Sequence, residues 1–269
     1  MNKQTTMLAL LLAAASFTAG CTSETGSKPS DQTATQPPSQ NNSHKNTQAQ
    51  AQPDPLTDER TKAALATTVM KNNSGVQEVT NMNDVLVVVN KQRNLQSTFE
   101  PSDLVEPNIP FSFKEKSPRK MMRKEAATAL EELFAQAKAE NIDLLGQSAY
   151  RPYSMQKSVF ARLTKKYGSE EKANAVSAYP GQSEHQTGLA IDITSKRMGN
   201  TLEQTFGDTP EGKWLAANAP KYGFIIRYPK GKESITGYAY EPWHIRYVGK
   251  TVAQEITEKG ITLEEYLSQ

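Results

Sequence analysis

The sequence predicts an α+β fold in which an antiparallel sheet carries helices packed on one side. Short apolar, β-branched segments indicate strands, and longer segments with apolar residues at helical spacing indicate helices. The two kinds of segment follow one another in a mixed order, whereas a parallel sheet would need regular alternation. The chain has 269 residues, of which 36% are hydrophobic. We therefore expect a single globular domain of about 150 to 200 residues beside a less ordered part.

Residues 1–20 precede the domain and have the features of an export signal. Lys3 supplies a short basic start, and the apolar run that follows is too short for a permanent membrane span. The small residues Ala19 and Gly20 stand directly before Cys21, the only cysteine of the chain. This stretch resembles the lipobox at which bacterial lipoproteins are cut and lipidated, although Thr18 stands where leucine is usual. Lipidation of Cys21 would make the protein an extracytoplasmic, membrane-anchored lipoprotein, and the alternative is an ordinary signal peptide with an incidental cysteine.

Residues 21–55 predict a disordered tether. They are rich in Ser, Thr, Gln, Asn and Pro, and they lack the apolar periodicity that a core requires. His44 lies in this tether and is therefore a poor candidate for a metal ligand, so that two of the three histidines remain for the domain at residues 56–269. The formal net charge of +2 arises from interspersed signs, which does not indicate a nucleic-acid partner. We expect the protein to act as a monomer.

The first half of the domain contains two segments that predict core elements. Residues 85–89 form a mostly β-branched run, which predicts a buried strand. Residues 119–139 place apolar side chains at near-helical spacing with charges on the opposite face. They predict a helix of about five turns.

A strand followed by a second helix is predicted next. Residues 142–151 indicate a strand that ends at Arg151, and the following helix is opened by Pro152 and closed by Gly168. Arg151 is therefore expected at a junction between a strand and a helix. Side chains at such junctions often face a cleft.

The second half of the domain completes the predicted sheet. Residues 188–193, 224–229 and 241–249 are short, apolar segments that predict strands. A helix is expected around residues 211–223. Residues 251–267 are expected to close the chain as a helix and a short helical turn.

Three side chains of this domain have the composition of a metal site. A catalytic zinc site needs three protein ligands from His, Asp, Glu or Cys and one open position, and His185, Asp192 and His244 supply that number. Gly188 allows a turn between the first two of them. Each residue alone also has a simpler explanation, namely a hydrogen-bonded structural histidine or an aspartate that caps a strand.

Glu241 is a candidate general base beside this trio. It precedes His244 by three residues, a spacing that points to opposite faces of a regular strand. Pro242 interrupts regular strand geometry and can bring both side chains to one site. A carboxylate near a water molecule at a metal is suited to accept its proton, although a glutamate next to proline is often simply exposed.

The two segments that carry these residues resemble motifs of one enzyme family. The stretch "SEHQTGLAID" matches the pattern SxHxxGxAxD, and "EPWH" matches ExxH. Both are patterns of VanY-type D-alanyl-D-alanine carboxypeptidases and related L,D-carboxypeptidases, which belong with the lysostaphin-type and Hedgehog-like zinc peptidases. The similarity also includes "SAYRPYSMQ", "PGQSEHQTG" and "YGFIIRYPKG". It therefore extends over roughly residues 80 to 255.

The resemblance implies a role for each matching residue. The trio His185, Asp192 and His244 would bind Zn²⁺, and Glu241 would move a proton from water to the leaving amine. Arg151 would face the substrate, where it would either stabilise the developing oxyanion as a catalytic residue or bind the substrate carboxylate through its planar fork. Gln156 and Ser183 match positions that help to hold the terminal carboxylate of the substrate.

The function implied by the resemblance is removal of the C-terminal D-alanine from peptidoglycan stem peptides by a zinc carboxypeptidase. Both D,D and L,D activities share these motifs, so the bond that is cut stays open. One alternative is a cell-wall endopeptidase, which would need a cleft open at both ends. The other is a non-catalytic, wall-binding lipoprotein on the same fold.

Overall fold

The structure is a computed structural model that describes residues 55–268. The predicted signal segment, Cys21 and the predicted tether up to residue 54 lie outside the described residues. Within residues 55–268, no helix has both the length and the apolar character needed to cross a membrane. In chain order the helices and strands are α1 (Pro55–Lys62), β1 (Val69–Lys71), β2 (Gln77–Val79), β3 (Leu104–Val105), β4 (Met122–Arg123), α2 (Lys124–Ala139), β5 (Leu145–Ser148), α3 (Tyr153–Tyr167), α4 (Glu170–Asn174), β6 (Ala190–Thr194), α5 (Pro210–Asn218), β7 (Phe224–Tyr228), α6 (Glu233–Thr236), β8 (Glu241–Tyr247), α7 (Lys250–Lys259) and α8 (Leu263–Leu267).

A four-stranded antiparallel sheet forms the centre of the domain. Its strands lie in the order β5, β6, β8 and β7. Two smaller antiparallel pairs, β1 with β2 and β3 with β4, lie outside it. The prediction of a single α+β domain with an antiparallel sheet is therefore confirmed.

Helix α2 covers one face of the central sheet. Its buried residues include Leu130 and Leu133, which belong to one core cluster with Ile191, Ile193 and Ile245 of the sheet. These side chains recur along α2 at spacings of three and four residues, so they form one apolar stripe. Its packing matches the predicted arrangement of a helix on a sheet face.

A second buried cluster joins α7 and α8 to β7. It contains Ile225 together with Leu86 and Val88. Ile225 pairs with Arg246 across the sheet, and alternate residues of a strand share a face. Helices α7 and α8 therefore form a second core against the sheet face that carries His244.

The helix predicted at residues 119–139 begins later than expected, at Lys124. A short 3-10 turn and strand β4 occupy its predicted first turn. The backbone there is committed to long-range partners, because Arg123 donates its N–H to the carbonyl of Gly188 and Met121 accepts from Tyr150. An amphipathic pattern cannot reveal such partners.

The strand predicted at residues 85–89 is wrong, since these residues form no regular strand. Residues 86–89 are buried, and alternate side chains enter the two core clusters. Arg246 donates to the carbonyls of Val85 and Val87, and Arg93 donates to that of Val88. Guanidinium groups therefore satisfy carbonyls that a neighbouring strand would otherwise serve.

The other predicted elements are present. Helix α3 follows Pro152 and ends at Gly168, which has a left-handed φ of 83°. The four strands of the central sheet, α5 and the closing pair α7 and α8 lie within one residue of their predicted segments. Patterns confined to one element were therefore enough to locate these parts of the fold.

Candidate active site

The central sheet places two of the three candidate ligands next to each other. Asp192 on β6 pairs directly with His244 on β8, and on its other side Asp192 pairs with Ser148 on β5. Directly paired residues of antiparallel strands project from the same face. His244 Nδ1 consequently lies 3.0 Å from Asp192 Oδ1.

The third candidate ligand, His185, reaches the same face from a 3-10 turn at Glu184–Thr187. The chain then turns at Gly188, where φ is 68° and an added Cβ would lie 2.9 Å from Leu104 Cδ2. His185 Nδ1 lies 2.8 Å from the carbonyl oxygen of Ala149. Because this carbonyl can only accept a hydrogen bond, Nδ1 carries the proton and Nε2 keeps its lone pair for a metal.

The trio fits a zinc ion in donor set and geometry. One ligand atom from each of His185, Asp192 and His244 lies within 4.8 Å of the others, and all three residues are buried. His185 Nε2 is 3.4 Å from Asp192 Oδ2. Two imidazoles and one carboxylate are typical zinc ligands that leave a fourth position open.

Glu184 contacts the His244 ring at Nε2, on the side away from Asp192. Its Oε2 lies 3.2 Å from His244 Nε2, so the Nε2–H donates to the carboxylate and Nδ1 is directed toward Asp192. Burial alone would raise the pKa of Glu184, but Arg227 and Arg246 hold this pKa far below its usual range. Sequence reasoning missed Glu184, whose only signal is its place beside His185 in the motif.

The two histidines have opposite electrostatic environments. Burial lowers the pKa of His185 to about 3. Burial also acts to lower the pKa of His244, but hydrogen bonds to Asp192 and Glu184 outweigh it and raise this pKa to about 9. In the absence of metal, His244 is therefore an imidazolium whose two N–H groups face two carboxylates.

Glu241 lies beside the trio without belonging to it. Its Oε2 is 3.9 Å from His244 Nδ1, and its side chain is 22% exposed. The register of β7 with β8 shifts next to this residue, which agrees with the expected irregularity at Pro242. Burial raises the pKa of Glu241 to about 7, despite the opposing effect of His244. A carboxyl group with this pKa can both accept and return a proton near neutral pH.

A cavity of about 300 Å³ opens onto these groups and is lined by Arg151, Ser183, Glu241, Trp243 and the three candidate ligands, among others. Arg151 donates to Gln156 Oε1 at 2.8 Å and to Ser148 Oγ at 3.2 Å. Its guanidinium is thus held in place at the wall of the cavity. The aromatic rings of Trp243, Tyr228 and Tyr238 form another part of the cavity wall.

Gln156 lies behind Arg151 and is fully buried. Its Nε2 donates to the carbonyl of Ala178 and to Ser177 Oγ, while its Oε1 accepts from Arg151. Both ends of the side-chain amide are therefore hydrogen-bonded to other residues of the protein. Gln156 would influence a substrate only by holding Arg151 in position.

The fold and this site define a zinc peptidase domain. A carboxylate with a raised pKa beside two histidines and an aspartate is an arrangement for metal-assisted hydrolysis. The partly buried Arg151 across the same cavity adds a site for a negatively charged group.

Comparison with known proteins identifies the family. The family model of VanY, D-alanyl-D-alanine carboxypeptidase, matches residues 119–250. YodJ of Bacillus subtilis (strain 168) is 50% identical over 200 residues, which is 74% of this chain and 73% of that relative. The chain belongs to the VanY family of D-alanyl-D-alanine carboxypeptidases.

Solved structures agree with this assignment. The LdcB LD-carboxypeptidase has 51% sequence identity and a TM-score of 0.70, with 74% of this chain and 92% of that chain covered. A vancomycin-resistance VanY D,D-pentapeptidase in complex with Zn(II) has 31% identity and a TM-score of 0.56 over 68% of this chain and 98% of its own. VanYB in complex with D-alanine-D-alanine has 30% identity and a TM-score of 0.56, and the match covers 69% of this chain and 98% of that one. The predicted family and the predicted zinc cofactor are confirmed.

Proposed function

We propose that this protein removes the C-terminal D-alanine from peptidoglycan stem peptides and prefers the L,D bond of tetrapeptides. The observation that carries the proposal is one cavity in which the metal trio, Glu241 and Arg151 converge. The preference for the L,D bond is supported by the identity of 51% to the LdcB LD-carboxypeptidase, against 31% to the VanY D,D-pentapeptidase.

In this proposal His185, Asp192 and His244 hold zinc. When bound, zinc supplies a Lewis acid that polarises a carbonyl oxygen and lowers the pKa of a water molecule. Glu241 accepts the proton of the attacking water and then donates it to the nitrogen of the leaving D-alanine. Its position 3.9 Å from His244 Nδ1 places it next to the trio without occupying a ligand position.

Arg151 would bind the terminal carboxylate of the peptide through its planar guanidinium. Ser183 lines the same cavity and would add a hydroxyl donor. Gln156 would support this contact indirectly, because its amide oxygen holds Arg151 at 2.8 Å. A terminal carboxylate bound at this wall limits cleavage to the last residue of a peptide.

The N-terminal predictions complete the proposal. Residues 1–20 would direct export, and lipidated Cys21 would anchor the protein to the cell membrane on its extracytoplasmic side. Residues 21–55 would connect this anchor to a monomeric domain at residues 56–269. Labelling with a lipid precursor tests the anchor: label is expected on the natural chain and absent from Cys21→Ala. Label that persists in the variant would exclude this anchor.

The activity is tested with the purified full chain and zinc, incubated separately with synthetic tetrapeptide and pentapeptide stems while released D-alanine is measured. We expect faster release from the tetrapeptide and loss of release in Glu241→Ala. Faster release from the pentapeptide would assign the enzyme to the D,D class. No release from either peptide by protein that binds one zinc would favour an endopeptidase or a non-catalytic wall-binding protein. Cleavage of intact peptidoglycan would then separate these two alternatives.

A further inference from the structure

Four charged side chains form a buried cluster beneath the metal site. They are Glu184, Arg227, Arg246 and Glu264, and their side chains are 0%, 0%, 0% and 9% exposed. Glu184 Oε1 accepts from Arg227 Nε at 2.7 Å and from Arg246 at 2.6 Å. Two positive and two negative groups balance one another, and their hydrogen bonds offset part of the penalty of burying each charge.

Glu264 brings the C-terminal helix α8 into this cluster. Its two oxygens accept from the two terminal nitrogens of Arg227 at 2.6 and 2.8 Å. This is a bidentate pair, which fixes the plane of the guanidinium. The Nε of the same guanidinium points at Glu184, whose other oxygen accepts from His244 Nε2.

We propose that Glu264 is a positioning residue for the metal site, acting through Arg227 and Glu184 on the ring of His244. The inference rests on the proposed role of His244 as a zinc ligand. Glu184 can direct Nδ1 of His244 toward the metal only while its own carboxylate is held in place. The C-terminal helix thereby sets the zinc affinity of the enzyme.

The charge balance gives the direction of the effect. Replacing Glu264 by glutamine leaves two arginines and one glutamate in a cluster that excludes water. The surplus positive charge on Arg227 is separated from His244, a proposed zinc ligand, only by Glu184. Charges in these buried surroundings are weakly screened, so the surplus charge repels Zn²⁺. Arg227 also loses its bidentate partner and with it a fixed orientation. Both changes weaken zinc binding.

Glu265 provides a matched control on the same helix. Its carboxylate pairs with Lys232 at 3.0 Å and accepts from the backbone N–H of Thr262, and its side chain is 31% exposed. Glu265→Gln therefore makes the same chemical change one residue away from Glu264→Gln, outside the buried cluster. A difference between the two variants reports the connection to the metal site rather than the loss of a charge from α8.

The test measures the zinc dissociation constant of the full chain and its variants by competition with a chelator, well below the melting temperature of the metal-free proteins. We expect Glu264→Gln to weaken zinc binding by about tenfold, the lower end of the range for groups that support metal ligands. Glu265→Gln should keep the natural affinity. The absorption spectrum of bound Co²⁺ should change in Glu264→Gln alone, because ligand geometry changes with the orientation of His244.

The outcomes separate the inference from the proposed function. Natural protein that binds no zinc would contradict the proposed function itself. If the natural protein and Glu264→Gln bind zinc with the same affinity, the inference is overturned while the proposed function stands. This holds even if the variant melts at a lower temperature. If Glu264→Gln does not fold, Arg227→Lys takes its place, since lysine keeps the charge but lacks the planar fork. A tenfold loss in that variant supports the inference, and an unchanged affinity overturns it.

Discussion

Zinc binding is expected to release a proton from His244. In the metal-free protein, burial acts to lower the pKa of this residue, but hydrogen bonds to Asp192 and Glu184 raise it to about 9. His244 is therefore almost fully protonated at pH 7.5. Its Nδ1–H donates to Asp192 Oδ1 over 3.0 Å, so the proton lies between two of the side chains that would hold the metal. A metal can bind Nδ1 only after this proton leaves.

The magnitude follows from the pKa values of the two histidines. His185 contributes no proton, since burial lowers its pKa to about 3. The two histidines should thus contribute about one released proton for each zinc bound at pH 7.5. Below the raised pKa of His244, zinc affinity should increase close to tenfold for each unit by which pH rises, because each unit makes neutral imidazole about tenfold more available.

Isothermal titration calorimetry in two buffers of different ionisation enthalpy measures the proton count directly. Glu184→Gln serves as the control, since loss of this carboxylate lowers the pKa of His244 and should reduce the number of protons released at pH 7.5. A count of zero in the natural protein, or a zinc affinity that does not change between pH 7 and 8, would refute the reasoning. His244 would then be neutral before the metal arrives.

Three further predictions concern catalysis and stability. Glu241→Gln should lower kcat/KM for D-alanine release by about 10²- to 10⁴-fold with an unchanged zinc content, because the proton acceptor is lost while the trio remains. Arg151→Lys should lower kcat/KM by about 10- to 150-fold, because it replaces a charged hydrogen-bonding fork, and a carboxamide-terminated peptide should show a much smaller difference. Gly188→Ala should reduce the free energy of unfolding by about 1 to 3 kcal/mol in urea titrations, because φ is 68° and the new Cβ would lie 2.9 Å from Leu104 Cδ2.

Each of these predictions has an outcome that contradicts it. Loss of zinc from Glu241→Gln would show that this residue supports the trio instead of acting on a proton. If Arg151→Lys lowers kcat/KM equally for the free acid and for the carboxamide, Arg151 does not bind the terminal carboxylate. A stability of Gly188→Ala equal to that of the natural protein would mean that Leu104 and the turn adapt at no cost.

Parts of the candidate site follow from local sequence alone. His185 and Asp192 lie in one short motif, with a glycine where the chain must turn, and Glu241 lies in the same motif as His244. The turn at Gly188 and the irregularity at Pro242 depend on backbone conformations that these residue types favour. Such features need no knowledge of distant residues.

The support behind the site depends on distant parts of the chain. Glu184 contacts Arg227, 43 residues away, and Arg246, 62 residues away. Gln156 reaches Ala178 across 22 residues. The sequence shows neither which charged residues become buried nor which guanidinium serves which carboxylate, since charged side chains are mostly exposed in proteins.

By itself the sequence determined the α+β class, the central strands, α3, the residues of the metal trio and the family, because periodicity and short motifs are local properties. Only the tertiary structure decided that α2 begins at Lys124, that residues 85–89 form no regular strand, and that helix α8 reaches the metal site through Arg227. These features arise where a backbone or a buried charge takes a distant partner. The free energy of that choice depends on packing that no segment of the sequence contains alone.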